Sequence, residues 1–433
     1  MKDLNFEQFS DLFPHLTHEK LRAIVLPFLR KEAEMQQEGS LLAHLETGHS
    51  MSHRHTLITM DNPGAYGAVK PILSRLLVDS RSRAVTILAS GVARQWFDRD
   101  FQGWKDLTNE KGQLLLSLMA LARRMPIHSV LGTVTADEGP ETIALYGGKS
   151  ALGAAKIFFM VEGWSGIGAV FRKNREKMDA IDGVICNDDF AEMMICRHFP
   201  ELKSDQILKI GTPNVEALLQ EDGEKLRLAG RARFGLDPDT VAVLYIGDVS
   251  EDYDKEYPGT NPDINRDSFA LTVGAMKQCA EQNLNRKFAL LFRPHPRDTQ
   301  KADLYAVAHG TEWPDNLVFC DAAVPIPMSE ASYAADVVTS IISTENFLAP
   351  KRGRLGIFLG YEAGASGGMG GALLRQIYGE IPEEIRKGDL LKVVSTPSEF
   401  AEGIGRFVQF SSVSRPQPKT CAGATSRIVE LLL

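Results

Sequence analysis

Two segments in the second half of the chain hold side chains suited to anionic oxygen. Arg293-Pro294-His295-Pro296-Arg297 packs two guanidinium groups and an imidazole into five residues framed by prolines. Arginine donates in a bidentate fork to phosphate, and the prolines lower the entropy lost on ordering the loop. The bland reading is a surface turn whose arginines pair with nearby acids. Further on, Ser340-Ile341-Ile342-Ser343-Thr344-Glu345-Asn346 offers a hydroxyl at the start of a helix. There the free backbone N–H groups and the cap form an anion site without a side-chain charge, although a Ser or Thr cap is also what any helix favours. Glu345 is placed to accept a hydrogen bond from a ribose or sugar hydroxyl. In the first half, Glu162 and Trp164 would supply a carboxylate and an indole, with Glu162 a candidate general base and a solvated acid the alternative. Gly64 and Gly67, in Asp61-Asn62-Pro63-Gly64-Ala65-Tyr66-Gly67, would let backbone approach a ligand. This is G-x-x-G, so the dinucleotide fingerprint is missing and hydride chemistry on NAD is disfavoured.

All these segments follow short apolar runs, which is where open α/β sheets bind ligands. Residues 55–61, 84–90, 129–134, 156–161 and 183–187 read as strands alternating with helices, and a second series starts at residues 241–246 and continues at 288–292, 317–319, 336–340 and 355–359. Such alternation predicts right-handed crossovers and parallel sheets covered on both faces. Phe6, Phe9, Phe13, Leu21, Ile24, Val25, Phe28 and Leu29 recur at helical spacing, so residues 1–50 are expected as a helical N-terminal extension. The expected domains are 51–214, Rossmann-like; 215–238, a charged helical linker; 239–410, a second Rossmann-like domain; and 411–433, a loop and closing helix. Residues 360–371 hold six glycines and suit a ligand-hugging lid or a plain turn.

The 433 residues carry a formal net charge of −8, which offers no basic track for nucleic acid. The first residues lack the basic and apolar regions of a secretory signal, and no run reaches the roughly 18 apolar residues of a membrane span. The five cysteines are scattered without a C-x-x-C pair, as in a reducing cytoplasm, so a cytoplasmic location is expected. His44, His49, His53 and His55 look metal-like, but with no carboxylate partner a solvated cluster is the better reading, and no metal is expected.

The order of these pieces resembles GT-B enzymes of the surface-polysaccharide type. Residues 157–164, Arg172, Asp182-Gly183-Val184-Ile185-Cys186 and Ile207-Leu208-Lys209-Ile210-Gly211-Thr212-Pro213 are similar to the second half of their N-terminal domain. Ile246-Gly247-Asp248, Phe292 through Arg297, and Ala335 through Ser340 with Ser343 and Thr344 are similar to their C-terminal domain. The resemblance implies two Rossmann-like domains facing across a cleft, with a nucleoside diphosphate at Gly247, Asp248, Arg293, His295, Arg297, Ser343, Thr344 and Glu345. UDP-GlcNAc 2-epimerases of this fold carry a His-Arg pair after the first C-terminal strand, where this chain reads Gly247-Asp248-Val249-Ser250-Glu251. The N-terminal His-Gly motif of teichoic-acid-type glycerophosphotransferases is missing as well. The expected function is therefore transfer of a sugar from a nucleotide-sugar donor to a glycan or lipid-linked acceptor, without cofactor. Glu162, or in its place Asp61 or Glu138, would deprotonate an acceptor held near Gly64, Gly67 and Trp164. Peripheral membrane association is compatible with such an acceptor. The rival expectations are a nucleotide-sugar epimerase or hydrolase, and a non-catalytic scaffold that binds a glycan or partner.

Overall fold

The computed structural model describes residues 41–47, 54–107, 114–133, 153–154, 156–164, 167, 181–249, 261–295, 298–323, 326–361, 370–378, 390–410 and 423–433. They divide into two compact units, one of residues 1–217 with 421–433 and the other of residues 218–420.

The first unit is built on an eight-stranded sheet. Its strands are β1 (Leu41–Glu46), β2 (His55–Met60), β3 (Ala84–Ala89), β4 (Lys105–Asp106), β5 (Ser129–Thr133), β6 (Lys156–Met160), β7 (Gly183–Cys186) and β8 (Ile207–Lys209), and its helices α1 (Pro63–Leu76), α2 (Gly91–Asp100), α3 (Leu114–Arg124), α4 (Asp189–His198) and α5 (Pro213–Gln220). The spatial order is β4-β1-β3-β2-β5-β6-β7-β8. Every neighbouring pair from β3 through β8 is parallel. Strands β2 and β3 are buried along their whole length, as β-branched and apolar runs must be when helices cover both faces.

Leu41–Glu46 corrects the helical reading of residues 1–50. It is a strand, antiparallel to β3 with Leu42 opposite Leu88 and His44 opposite Thr86. Its first four residues are buried in succession, and the strand gains its state from docking beside β3, past the last residue of the helical spacing at Leu29. Residues 1–40 lie outside the described residues.

The histidine reading also changes. His44 and His55 are buried, and both bond the Thr86 hydroxyl, through Nδ1 at 2.9 Å and Nε2 at 2.8 Å. His55 Nδ1 lies 3.0 Å from the Met125 carbonyl and must donate to it. Its Nε2 therefore accepts from Thr86, and Thr86 accepts from His44, so one hydroxyl fixes both tautomers. This is a structural chain rather than a solvated cluster. His49 and His53 lie outside the described residues.

The second unit holds a six-stranded, fully parallel sheet. In chain order its elements are α6 (Gly223–Arg233), β9 (Val241–Ile246), α7 (Ile264–Gln282), β10 (Phe288–Arg293), α8 (Lys301–His309), β11 (Leu317–Asp321), α9 (Met328–Ala334), β12 (Val337–Ser340), α10 (Thr344–Lys351), β13 (Leu355–Leu359), α11 (Gly370–Tyr378), β14 (Leu391–Val394) and α12 (Pro397–Phe410). The order β11-β10-β9-β12-β13-β14 is the doubly wound 3-2-1-4-5-6 arrangement. In the first unit the third-strand position of that plan is taken by the antiparallel β1.

The expected linker is integral to the second unit. Arg227 and Arg231 on α6 reach Asp336 at 2.9 and 3.4 Å, and Asp336 also accepts the Ala242 N–H at 3.0 Å. Conversely α13 (Ala424–Leu432) belongs to the first unit, where Ile428, Val429 and Leu432 join the core and the Leu432 carbonyl accepts from Ser129 at 2.7 Å. Among the described residues no helix is long and apolar enough to cross a membrane.

Candidate functional site

In the second unit the strand order reverses between β9 and β12, and the crevice at their carboxyl ends is where such sheets take ligands. Gly247 leaves β9 there, with its N–H bonded to the Arg293 carbonyl at 2.8 Å. A Cβ on Gly247 would stand 3.3 Å from both His295 N and Pro294 Cα, so glycine lets the loop after β10 lie against the end of β9. Asp248 crosses the crevice, and its Oδ2 accepts the Ile341 N–H at 3.2 Å. That bond ties the end of β9 to the segment entering α10.

Ser343 is the N-cap of α10, with its hydroxyl accepting from Glu345 N at 3.3 Å and its own N–H bonded to Ser340 Oγ at 2.8 Å. Thr344 occupies the first helical position and is partly exposed. The helix start thus presents its positive end beside Gly247 and Asp248. His295 is partly exposed on the adjoining loop.

Two expected ligand groups are engaged inside the protein. Arg293 is 9% exposed, and its Nη1 donates to the carbonyls of Ala322 and Ile326 at 2.8 and 2.6 Å. Desolvation lowers its pKa, partly offset by Glu345. Through Nη1 this arm braces the loop after β11. The Glu345 carboxylate accepts from Ser332 at 2.5 Å and pairs with Arg352 at 2.6 Å, with the Arg352 guanidinium 4.8 Å over the Tyr333 ring. Ser332 and Arg352 both engage Oε2 of the carboxylate that was expected to accept from a sugar hydroxyl. Arg297 lies outside the described residues.

Asn265 is a site residue that the sequence reading missed. Wholly buried at the start of α7, it donates to the Asp248 carbonyl at 2.9 Å and to Asp298 at 3.0 Å, and it accepts from the Tyr245 hydroxyl at 3.1 Å. One amide therefore holds the loops after β9 and β10 together. No sequence signal singled it out, since Ser268 and Thr272 are polar residues on the same buried helix face.

The first unit reverses its parallel order between β2 and β5, and Asp61 ends β2 there. Asn62 caps α1 by accepting from Ala65 N at 2.9 Å. Glu162, after β6, lies over this helix start, because a Cβ on Gly64 would overlap its Oε2. The close approach of Gly64, expected toward a ligand, is here toward the Glu162 side chain. Gly67 makes no such approach, since a Cβ added there would meet nothing within 4 Å. The Glu162 carbonyl accepts from Asn214 Nδ2 at 3.2 Å.

Trp164 was expected to place its indole in the donor/acceptor cleft. It is fully buried, and its Nε1 donates to Asp188 at 2.9 Å while Asp188 caps α4 through Ala191 N at 3.1 Å. It locks the loop after β6 to the loop after β7. Glu138 lies outside the described residues. Among the described residues no cluster of three or more metal-ligating side chains occurs.

Residues 161–326 match the family model described as CDP-Glycerol:Poly(glycerophosphate) glycerophosphotransferase. No curated protein sequence matches the chain. Among solved structures, the UDP-GlcNAc 2-epimerase of Neisseria meningitidis, bound to UDP-GlcNAc, is similar at 11% identity and TM-score 0.58, covering 87% of this chain and 99% of that one. The UDP-GlcNAc 2-epimerase of Methanocaldococcus jannaschii, in complex with UDP-GlcNAc and UDP, is similar at 13% identity and TM-score 0.55, over 87% and 99%. A glycosyltransferase from Rickettsia africae ESF-5 is similar at 11% identity and TM-score 0.53, over 88% and 94%. At these identities the likeness is one of fold, and the GT-B fold is the one anticipated from the order of motifs.

Proposed function

We propose that the protein is a GT-B glycosyltransferase that takes a sugar from a nucleoside-diphosphate donor and passes it to a glycan or lipid-linked acceptor. The observation that carries this reading is the crevice between β9 and β12, where the Ser343-capped helix start, Gly247 and the His295 loop converge. Backbone N–H groups and a helix dipole aimed at a leaving diphosphate stabilise the charge that develops as the bond to the sugar breaks. Glu162 is the proposed base for the acceptor hydroxyl, and Asn214 and Trp164 hold its loop. Arg293, Glu345 and Asn265 keep the donor loops in place.

The family match over residues 161–326 favours a second reading, transfer of glycerophosphate from CDP-glycerol. The two reactions break different bonds. Glycosyl transfer releases a nucleoside diphosphate, whereas glycerophosphate transfer breaks the pyrophosphate and releases a nucleoside monophosphate. A thermal-shift panel of UDP-sugars, GDP-sugars and CDP-glycerol, followed by nucleotide product analysis with the stabilising donor, separates them. Diphosphate release upholds the first reading and monophosphate release the second. Absence of any donor-dependent stabilisation contradicts both.

A further inference from the structure

The loops around Glu162 contain two amides whose orientation is settled by their neighbours. Asn187, at the end of β7, is 5% exposed, and its Oδ1 accepts both the N–H and the hydroxyl of Thr212, at 3.0 and 2.8 Å. Since the Thr212 N–H can only donate, the oxygen of Asn187 must face it, which leaves the Nδ2 donor over. That donor is buried and has no partner among the described residues. Asn214 is fixed the opposite way. Its Nδ2 donates to the Glu162 carbonyl at 3.2 Å, so its Oδ1 acceptor is left over, likewise buried and without a partner among the described residues. Buried polar atoms in folded proteins are nearly always paired, and one donor and one acceptor left over on converging loops need an account.

We infer that Asn187 and Asn214 read the hydroxyl groups of a polyol or sugar acceptor beside Glu162. A hydroxyl both donates and accepts, so a vicinal diol can satisfy the Asn187 donor and the Asn214 acceptor together. A phosphate would fit only the donor, and an ammonium group only the acceptor. The floor is rigid. Thr212 is wholly buried, Trp164 bonds Asp188 next to Asn187, and Asn214 stands in the first turn of α5. Pre-set polar groups of this kind discriminate strongly against an analogue that lacks the hydroxyl, because the site's own atoms then stay unpaired. The inference rests on the transferase reading and adds to it the chemistry of the acceptor.

The test is side-chain amide NMR on asparagine-labelled full-length protein, with Asn187→Asp as the assigning variant. That substitution keeps an oxygen facing Thr212 and replaces the leftover donor with a carboxylate oxygen, which can only accept when ionised. The probes are glycerol, glycerol 3-phosphate and methyl β-N-acetylglucosaminide, with UDP and CDP titrated separately. The expected result is a saturable shift of the Asn187 side-chain NH2 signals with at least one hydroxylated probe. Its affinity should fall about tenfold or more in Asn187→Asp and in Asn214→Ala, with the nucleotide response unchanged. No shift with any probe, or equal binding by the variants, overturns the inference while nucleotide binding still stands. Loss of the nucleotide response in the wild type instead contradicts the donor site and leaves the amide result to be judged by itself.

Discussion

Ser343, Glu345 and Gly64 were all named from sequence, and at the residue scale they separate into different roles. Ser343→Ala removes a cap whose hydroxyl accepts from Glu345 N, so a loss of about 1 kcal/mol in denaturant unfolding is expected, together with weaker nucleotide binding by calorimetry. Glu345 is a structural anion. Glu345→Ala would strand the buried Arg352 guanidinium, a change that costs about 3 kcal/mol or more, visible as a lower unfolding midpoint with or without nucleotide. Gly64→Ala drives a methyl group into the Glu162 carboxylate. Turnover is expected to fall by up to about 100-fold while the circular-dichroism spectrum stays that of the parent. What sequence showed at these positions was residue type and placement after a strand. What it could not show is which groups the protein itself consumes, because Ser332, Arg352 and the Ala322 and Ile326 carbonyls meet their partners only after folding.

At the scale of elements, the chain His44–Thr86–His55 links β1, β2 and β3 at a buried seam. Burial, the largest influence, pushes His55 down to about 4, against which the Met125 carbonyl bond acts weakly; His44 and Arg83 add to the lowering. Burial lowers His44 as well, opposed by Glu46 and aided by Arg124 and Lys105. An unfolded histidine titrates near ~6.5, so between that value and about 4 the unfolded chain holds a proton that native His55 does not. The stability tied to neutral His55 is present above that range and is lost as pH falls through it, at up to about 1.4 kcal/mol per pH unit. Urea unfolding between pH 7 and 5 should show the slope, and His55→Gln should flatten it. Apart from Lys105–Asp106 and Leu391–Val394, the strands of the two sheets were legible because β-branched runs alternate with helices. β1 was not, since six residues beside a helical pattern carry no period of their own and gain their state from pairing with β3.

At the scale of the whole molecule, two doubly wound units were legible from the repeated strand–helix alternation and from the placement of polar motifs after strands. The exchange of chain ends was not. Helix α6 packs into the second unit and α13 returns to the first through contacts such as Ser129 to Leu432 and Glu216 to Thr425, which are far apart in sequence. The return makes a further expectation. Deleting residues 423–433 uncovers Ile58, Leu73 and their neighbours in the first core, so the first unit is expected to lose its cooperative transition in calorimetry while the second keeps its own.

The donor site itself is tested most directly by hydrogen–deuterium exchange of the full chain with and without UDP and CDP at saturating concentration. Slowed exchange confined to residues 247–249, 294–295 and 341–345 is the expected outcome. Unchanged exchange in all three segments, with either nucleotide bound elsewhere or not at all, would contradict a diphosphate site between β9 and β12.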